Sequence, residues 1–348
     1  MRLSHEILSL RRSEPFVSNK GTVTTVRQFL VRLHWRGRTG LGTAILAREY
    51  GMVEETVRAA IDACAGLLEG ATPFQHRQVS ERLLAAVPGQ PTAVAAVDMA
   101  LHDLLGQVAG LPIHCLWGLA GAPLAPTGLS LGLHPEAELI ARARRLSGWP
   151  ILKLKMSASV DVGVVGRIRE VYGGRLWVDG NGAWDASKAV AAAAELHRHG
   201  VELLEQPIPA GTPEILRSVR ERSKIPIVAD EDCVGPEDVL RLQGSADVIN
   251  IKLFKCGGLQ RALEMIGLAR RVGLRVMLGC KTESALGITA AAQLAGLADY
   301  LDLDGHLDLE DDPFAGMAVD RGRITLPEGA GLGLTAKDAG RGAMPTSS

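Results

Sequence analysis

The sequence predicts an α/β chain whose larger part closes into a barrel of eight parallel strands. Two observations carry that reading. Apolar strand candidates end near residues 132, 155, 179, 205, 230, 252, 280 and 304, with alanine-rich or amphipathic segments between most of them. Strands that alternate with helices at intervals of about 25 residues pair in parallel through right-handed crossovers. Charged residues also recur at the carboxyl ends of these strands: Lys153 and Lys155, Asp179, Glu205, Asp230, Lys252, Lys281, and Asp302 with Asp304. Barrel active sites are built at that end. A doubly wound open sheet is the structural alternative, but no GxGxxG follows a strand and no GxxxxGK[ST] phosphate loop is present.

The part before the barrel runs to about residue 120. It holds a strand-like segment over 24–37, helix-like residues over 53–69 and a longer helix over 92–110. LPIHCLWG follows, and GAPLAP at 121–126 reads as a linker. The final AKDAGRGAMPTSS, 336–348, is expected to be mobile.

Composition narrows the function. The 348 residues carry 38 Lys and Arg against 39 Asp and Glu, which lacks the basic excess of a nucleic-acid binder. Small-molecule chemistry is the better expectation. Cys64, Cys115, Cys233, Cys256 and Cys280 are odd in number and show no CxxC spacing, so they read as reduced thiols rather than a disulfide framework or zinc site. No apolar run approaches the roughly 18 to 20 residues of a membrane span. The start, MRLSHEILSLRRSEP, is too charged for a secretory signal, so a cytoplasmic location is expected.

Asp179, Glu205 and Asp230 place one acid on each of three consecutive strand ends, three oxygen donors for a hard divalent cation with magnesium favoured. Singly, each would read as a helix N-cap at a strand-to-helix turn. Three in register argue for the metal. DGNGAWD resembles a calcium loop only superficially, because Ala183 and Trp184 stand where that loop needs a ligand and a glycine.

Lys153 and Lys155 share one strand face, since side chains alternate with a period of two. Alone, KxK would read as a solvated strand face. Inside a desolvated barrel mouth, one ammonium beside another lowers its pKa, so that Lys155 can act as a base while Lys153 depresses it and helps hold a carboxylate oxygen. Lys252, four strands on, faces them across the barrel. A metal between two lysines suits removal of a proton beside a carboxylate and its return to the opposite face.

Together these residues resemble the enolase superfamily, specifically its muconate-lactonizing group, with KxK on the second barrel strand and a lysine on the sixth. AVAAVDMALHDLLGQVAGLPIHCLWG at 93–118 is similar to the amino-terminal signature of that group, although Trp117 stands where a smaller residue is usual. The resemblance implies a modified (β/α)7β TIM-like barrel with an N-terminal α+β capping domain. Residues 1–122 would form the cap, 123–312 the barrel, and 313–348 a segment returning to the cap. Loops near 16–22 and 50 would close over the substrate. It further implies Lys155 and Lys252 as the acid/base pair and Asp179, Glu205 and Asp230 as Mg2+ ligands.

The DLD at 302–304 resembles dipeptide epimerases, in which two aspartates at the eighth strand bind the substrate α-ammonium. DED at 230–232 and Lys281 depart from their common pattern. What this implies is an isomerase that inverts the α-carbon of the C-terminal residue of a dipeptide, of the L-Ala-D/L-Glu type, through a metal-stabilised enediolate. N-acylamino acid racemase and o-succinylbenzoate synthase are the nearest alternatives, followed by muconate cycloisomerase and a non-catalytic barrel. The expected partner is a small-molecule dipeptide, with no nucleic acid or membrane; homo-oligomerisation is left open. Lys20 and Lys281 are placed to border the second side chain, which favours an acidic one.

Overall fold

A computed structural model describes residues 1–337. The chain begins with β1 (Arg2–Ser18), β2 (Gly21–Trp35) and β3 (Arg38–Ile45), an antiparallel sheet in that order. The strand expected at 24–37 is β2. Its alternation buries Phe29, Val31 and Leu33 against the helices that follow. β1 was not foreseen, because only Leu10 among its residues is buried and its exposed edge carries no apolar pattern. The loop expected near 16–22 is instead the tip of the β1–β2 hairpin, turning at Asn19 and Lys20 with Phe16 paired to Val23.

Three helices come next: α1 (Glu54–Leu67), α2 (His76–Ala86) and α3 (Pro91–Ala109), the last followed by the short α4 (Ile113–Leu116). α3 is apolar nearly all round, with every residue from Thr92 to Leu104 buried. Such a helix must be covered on all sides. The sheet lies on one side, where Gly40 and Gly42 of β3 bring the backbones together: a Cβ at Gly42 would stand 1.8 Å from the Ala96 carbonyl oxygen. Asp98 emerges on another side. It accepts hydrogen bonds from Ser80 Oγ at 2.6 Å and from the backbone N–H of Leu259 at 2.6 Å and Gln260 at 3.2 Å. Those two amides open a barrel helix, so Asp98 caps it from outside the barrel. Trp117 packs edge-on against His102 of α3 with ring centroids 5.5 Å apart.

The barrel strands are β4 (Leu129–Leu131), β5 (Ile151–Lys155), β6 (Arg175–Asp179), β7 (Val201–Glu205), β8 (Ile227–Ala229), β9 (Val248–Ile251), β10 (Arg275–Gly279) and β11 (Tyr300–Asp302). Each pairs in parallel with the next. The ring is drawn shut where Thr127 bridges Leu301 and Gly128 N–H donates to the Leu301 carbonyl at 2.9 Å. Between the strands lie α5 (Glu136–Arg145), α6 (Val164–Arg169), α7 (Ala186–Arg198), α8 (Pro213–Arg222), α9 (Pro236–Arg241), α10 (Leu253–Cys256) with α11 (Leu259–Arg271), and α12 (Ala285–Ala292). Helices therefore fill seven crossovers and none follows β11 before the chain leaves the barrel, the (β/α)7β arrangement.

Alternation sorts the barrel side chains. Leu152, Leu154, Leu176 and Val178 join the outer core under the helices, while Ile151, Trp177, Leu203, Val228, Val248, Met277 and Tyr300 form a separate inner cluster. The next inward position is charged or polar on six of these seven strands and is Gly279 on β10. After the barrel, Gly331 N–H donates to the Leu111 carbonyl at 3.0 Å and Leu332 N–H to Asp103 Oδ1 at 2.8 Å, which returns the chain to the end of α3. Ala336 pairs with Phe314; the rest of the tail expected to be mobile, from 338 onward, lies outside the described residues. No helix among the described residues is long and apolar enough to cross a membrane.

Gly42→Ala should destabilise the protein by about 1 to 3 kcal/mol, because the new methyl group meets backbone and cannot be accommodated by a rotamer change. Gly66→Ala on α1, where an added Cβ meets nothing within 4 Å, should be neutral or stabilising. Chemical denaturation of both variants checks the contrast. Equal midpoints would mean that α3 and β3 can separate freely.

Candidate active site

Above the inner apolar cluster lies a cavity of about 210 Å³, bordered by the strand ends and by the hairpin tip, with Lys153, Lys155, Lys252, Asp302 and Asp304 in its wall. Its size fits a small molecule. Asn19 at the hairpin tip donates to the carbonyls of Met156 at 2.6 Å and Gly180 at 3.2 Å, fastening this lid to the ends of β5 and β6.

The three acids are brought together as expected, and all are buried. Each has its two oxygens held by different residues. Asp179 Oδ1 accepts from Asn181 N–H at 2.9 Å and Oδ2 from Lys155 Nζ at 2.5 Å. Glu205 Oε1 accepts from Asn250 Nδ2 at 2.8 Å, and its Oε2 lies 2.7 Å from Lys153 Nζ. Asp230 Oδ1 accepts from Lys255 Nζ at 2.6 Å and Oδ2 from Lys252 Nζ at 2.8 Å. Asn250 and Lys255 were not picked out by sequence. Asn250 was legible, since it precedes Lys252 by two on one strand face. Lys255 sits in the helical turn beyond the strand, where strand period gives no signal.

Two expectations about charge are corrected. Crowding of cations was expected to lower the pKa of Lys155; on its neighbours Lys252 and Lys153 the carboxylates prevail over the cations. Burial opposes the charge on Lys252, but Asp230 and Glu205 hold its pKa well above the usual lysine range. Lys153 is likewise opposed by burial and held well above the range by Asp302, Glu205 and Asp179. Asp302 and Asp304 were read as a pair awaiting an outside cation, but Asp302 Oδ2 already accepts from Lys153 Nζ at 2.6 Å. Asp304 lies beyond the end of β11 and accepts from Ser130 N–H at 2.6 Å. Burial and the Asp302 charge push its pKa up to about 6.

Lys20 and Lys281 do reach the cavity, each with an acid attached. Lys20 Nζ is 2.7 Å from Glu231 Oε1 and 4.0 Å from Glu49 Oε1, and Lys281 bonds the same Glu49 oxygen. Glu49 therefore lies between the two cations, and the unopposed positive charge expected there is absent. Asp232, the unusual third acid of DED, accepts from Gln206 Nε2 at 2.8 Å and Gly211 N–H at 2.7 Å, holding the loop rather than facing the cavity.

Magnesium fits the donor chemistry. Even with Lys153 alongside, burial and the neighbouring Asp179 and Asp230 charges push Glu205 up to about 7, the direction that crowding of buried acids produces. The oxygens facing inward are hard donors suited to Mg2+. Among the described residues no three His, Cys, Asp or Glu groups are gathered into one coordination sphere, because lysine ammonium groups stand between the acids.

Comparison with known proteins agrees across nearly the whole chain. Residues 5–118 match the mandelate racemase / muconate lactonizing enzyme N-terminal domain and residues 136–340 the enolase C-terminal domain-like family. The chain is 34% identical over 313 residues to an L-Ala-D/L-Glu epimerase of Bacteroides thetaiotaomicron, spanning 89% of this chain and 82% of that protein. It is 37% identical over 321 residues to an L-Lys-D/L-Arg epimerase of Methylococcus capsulatus, spanning 87% and 89%. A dipeptide epimerase of Enterococcus faecalis, solved with Mg and L-Leu-L-Tyr, superposes with a TM-score of 0.91 at 31% identity, covering 96% of this chain and 99% of that one.

Asp179→Asn, Glu205→Gln and Asp230→Asn should each weaken Mg2+ binding by more than about tenfold, since a dication site loses one of three anionic oxygens. Magnesium-dependent thermal shifts report this directly, because a ligand bound only to the native state raises its midpoint. A variant with an undiminished shift would remove that residue from the ligand set.

Proposed function

Because this chain belongs to the mandelate racemase/muconate lactonizing enzyme family of the enolase superfamily, we propose that it is a magnesium-dependent dipeptide epimerase. The single observation that carries this reading is that Lys155 and Lys252, four strands apart on an eight-stranded ring, enter one cavity from opposite sides of a buried carboxylate set. Two bases across one carbon can invert it. L-Ala-D/L-Glu is the dipeptide to test first, by similarity to the Bacteroides thetaiotaomicron protein.

Asp179, Glu205 and Asp230 would hold the magnesium, whose charge supplies stabilisation to a substrate carboxylate as the adjacent C–H bond ionises. Whichever of Lys155 and Lys252 accepts that proton must be neutral, and the other protonated. Lys155 and Lys252 donate to Asp179 and Asp230, and a dication held by the same acids would weaken those hydrogen bonds. One lysine then removes the α-proton and the other, protonated, returns one to the opposite face. Lys153, tied to Asp302 and Glu205, remains a positive charge beside a substrate carboxylate oxygen. Asp304 would receive the substrate ammonium, and the hairpin tip keeps water from the exposed carbon.

Lys155→Ala and Lys252→Ala should each lose epimerisation by at least about 10³-fold, in the range of general acid/base contributions. In deuterium oxide, each variant should still exchange the α-proton of one epimer, a different one in each case. Retained epimerisation in either variant would rule out the two-base scheme.

Dipeptides with a free amino group should exceed their N-acetyl forms roughly 30-fold in kcat/KM, as about 2 kcal/mol for a buried charged contact implies. Asp304 is ionised above a pKa of about 6 and neutral below it. The preference should therefore be full above that pH and shrink as pH falls through it, since kcat/KM follows the free enzyme. Asp304→Asn should show little preference at any pH. Equal use of N-acyl amino acids by the wild type would favour the N-acylamino acid racemase reading.

A further inference from the structure

Two lysines bracket one helical turn, Lys252 and Lys255, and both reach Asp230, yet their surroundings differ. Lys252 Nζ has one protein acceptor, Asp230 Oδ2, and enters the cavity wall. Lys255 Nζ donates to the Asp230 carbonyl at 2.5 Å, to Asp230 Oδ1 at 2.6 Å and to the Asn250 carbonyl at 3.2 Å. An ammonium has three hydrogens, and here all three are spoken for by protein atoms. Lys255 is 1% exposed and lies behind the acid, away from the cavity.

The strand just before that turn supplies a second such donor. Asn250 Nδ2 holds Glu205 Oε1 at 2.8 Å, and Gly279 on the adjoining strand makes room for it: a Cβ there would stand 2.3 Å from Asn250 Oδ1. On Asp179 the same task falls to the backbone N–H of Asn181, whose φ of 43° turns the chain back over the acid. One oxygen of every acid is thus fixed by a donor that takes no part in proton transfer, and the other is left to the cavity.

We propose that Lys255 is a positioning residue for the metal site: a permanently engaged ammonium that pins Asp230 Oδ1 so that Oδ2 is presented inward. This rests on the reading of Asp179, Glu205 and Asp230 as the magnesium ligands. It has a consequence of definite sign. A cation 2.6 Å from one ligand oxygen repels a dication, so by charge alone its removal would tighten metal binding. If orientation dominates, its removal weakens binding instead, as loss of a residue supporting a ligand usually does.

The test is Mn2+ binding followed by electron paramagnetic resonance, with Mg2+ competition, on wild type, Lys255→Met and Lys255→Gln in the absence of any dipeptide. Circular dichroism confirms that each variant is folded. Lys255→Met should bind Mn2+ about tenfold to 100-fold more weakly. Lys255→Gln, which restores a neutral donor, should fall between it and wild type; if the Met variant does not fold, a weakened Gln variant carries the result. Binding at or above wild-type strength in either folded variant overturns the positioning role while leaving the ligand assignment standing. Failure of the wild type to bind either metal overturns the ligand assignment and this inference with it.

Discussion

Every charged group at the barrel mouth depends on three buried carboxylates being shared among more cations than can be satisfied at once. Removing an acid from water is costly unless it is paired, and Asp179, Glu205 and Asp230 are paired from two sides. The donors outside the cavity are fixed. Those inside are lysines that the reaction needs free. Asp179 and Asp230, which we propose among the ligands of a dication, are the same groups that form the ion pairs with Lys155 and Lys252.

The rest of the architecture keeps this arrangement dry and in register. Below it, Trp177, Met277, Tyr300 and their neighbours fill the barrel with apolar side chains, so the charged layer has no water beneath it. Above it, the hairpin tip is tied down by Asn19. From outside, Asp98 caps α11 just after the turn that carries Lys252 and Lys255, which links the buried helix α3 to the site across the boundary between the two folded parts. A close-packed interior transmits such constraints because it has few alternative arrangements.

Much of the site was legible because strand alternation is a local rule. Lys153, Lys155, Asp179, Glu205, Asp230 and Lys252 all fall at positions a period of two assigns to one face, and the structure brings them together. The readings that failed concerned pairing. Lys20 and Lys281 looked like unopposed cations until Glu49 and Glu231 were found beside them. Asp302 looked like half of an open ammonium site until Lys153 was found on it. In each case the partner is distant in sequence: Glu49 stands 232 residues from Lys281, and Lys153 is 149 residues from Asp302.

The amino-acid sequence by itself determined the succession of strands and helices, the charged inner face of the strands and the family to which the chain belongs, because periodicity and motif spacing are properties of neighbouring residues. Only the tertiary structure decided the protonation balance of the site. A pKa is set by burial and by whichever charges lie within a few ångströms, and ring closure brings strands together from opposite ends of the barrel domain. Thus Lys153 is held charged by an acid 149 residues away, and Asp304 is raised by burial that no local pattern records. Chain order supplied the reacting groups; folding supplied the partners each of them meets.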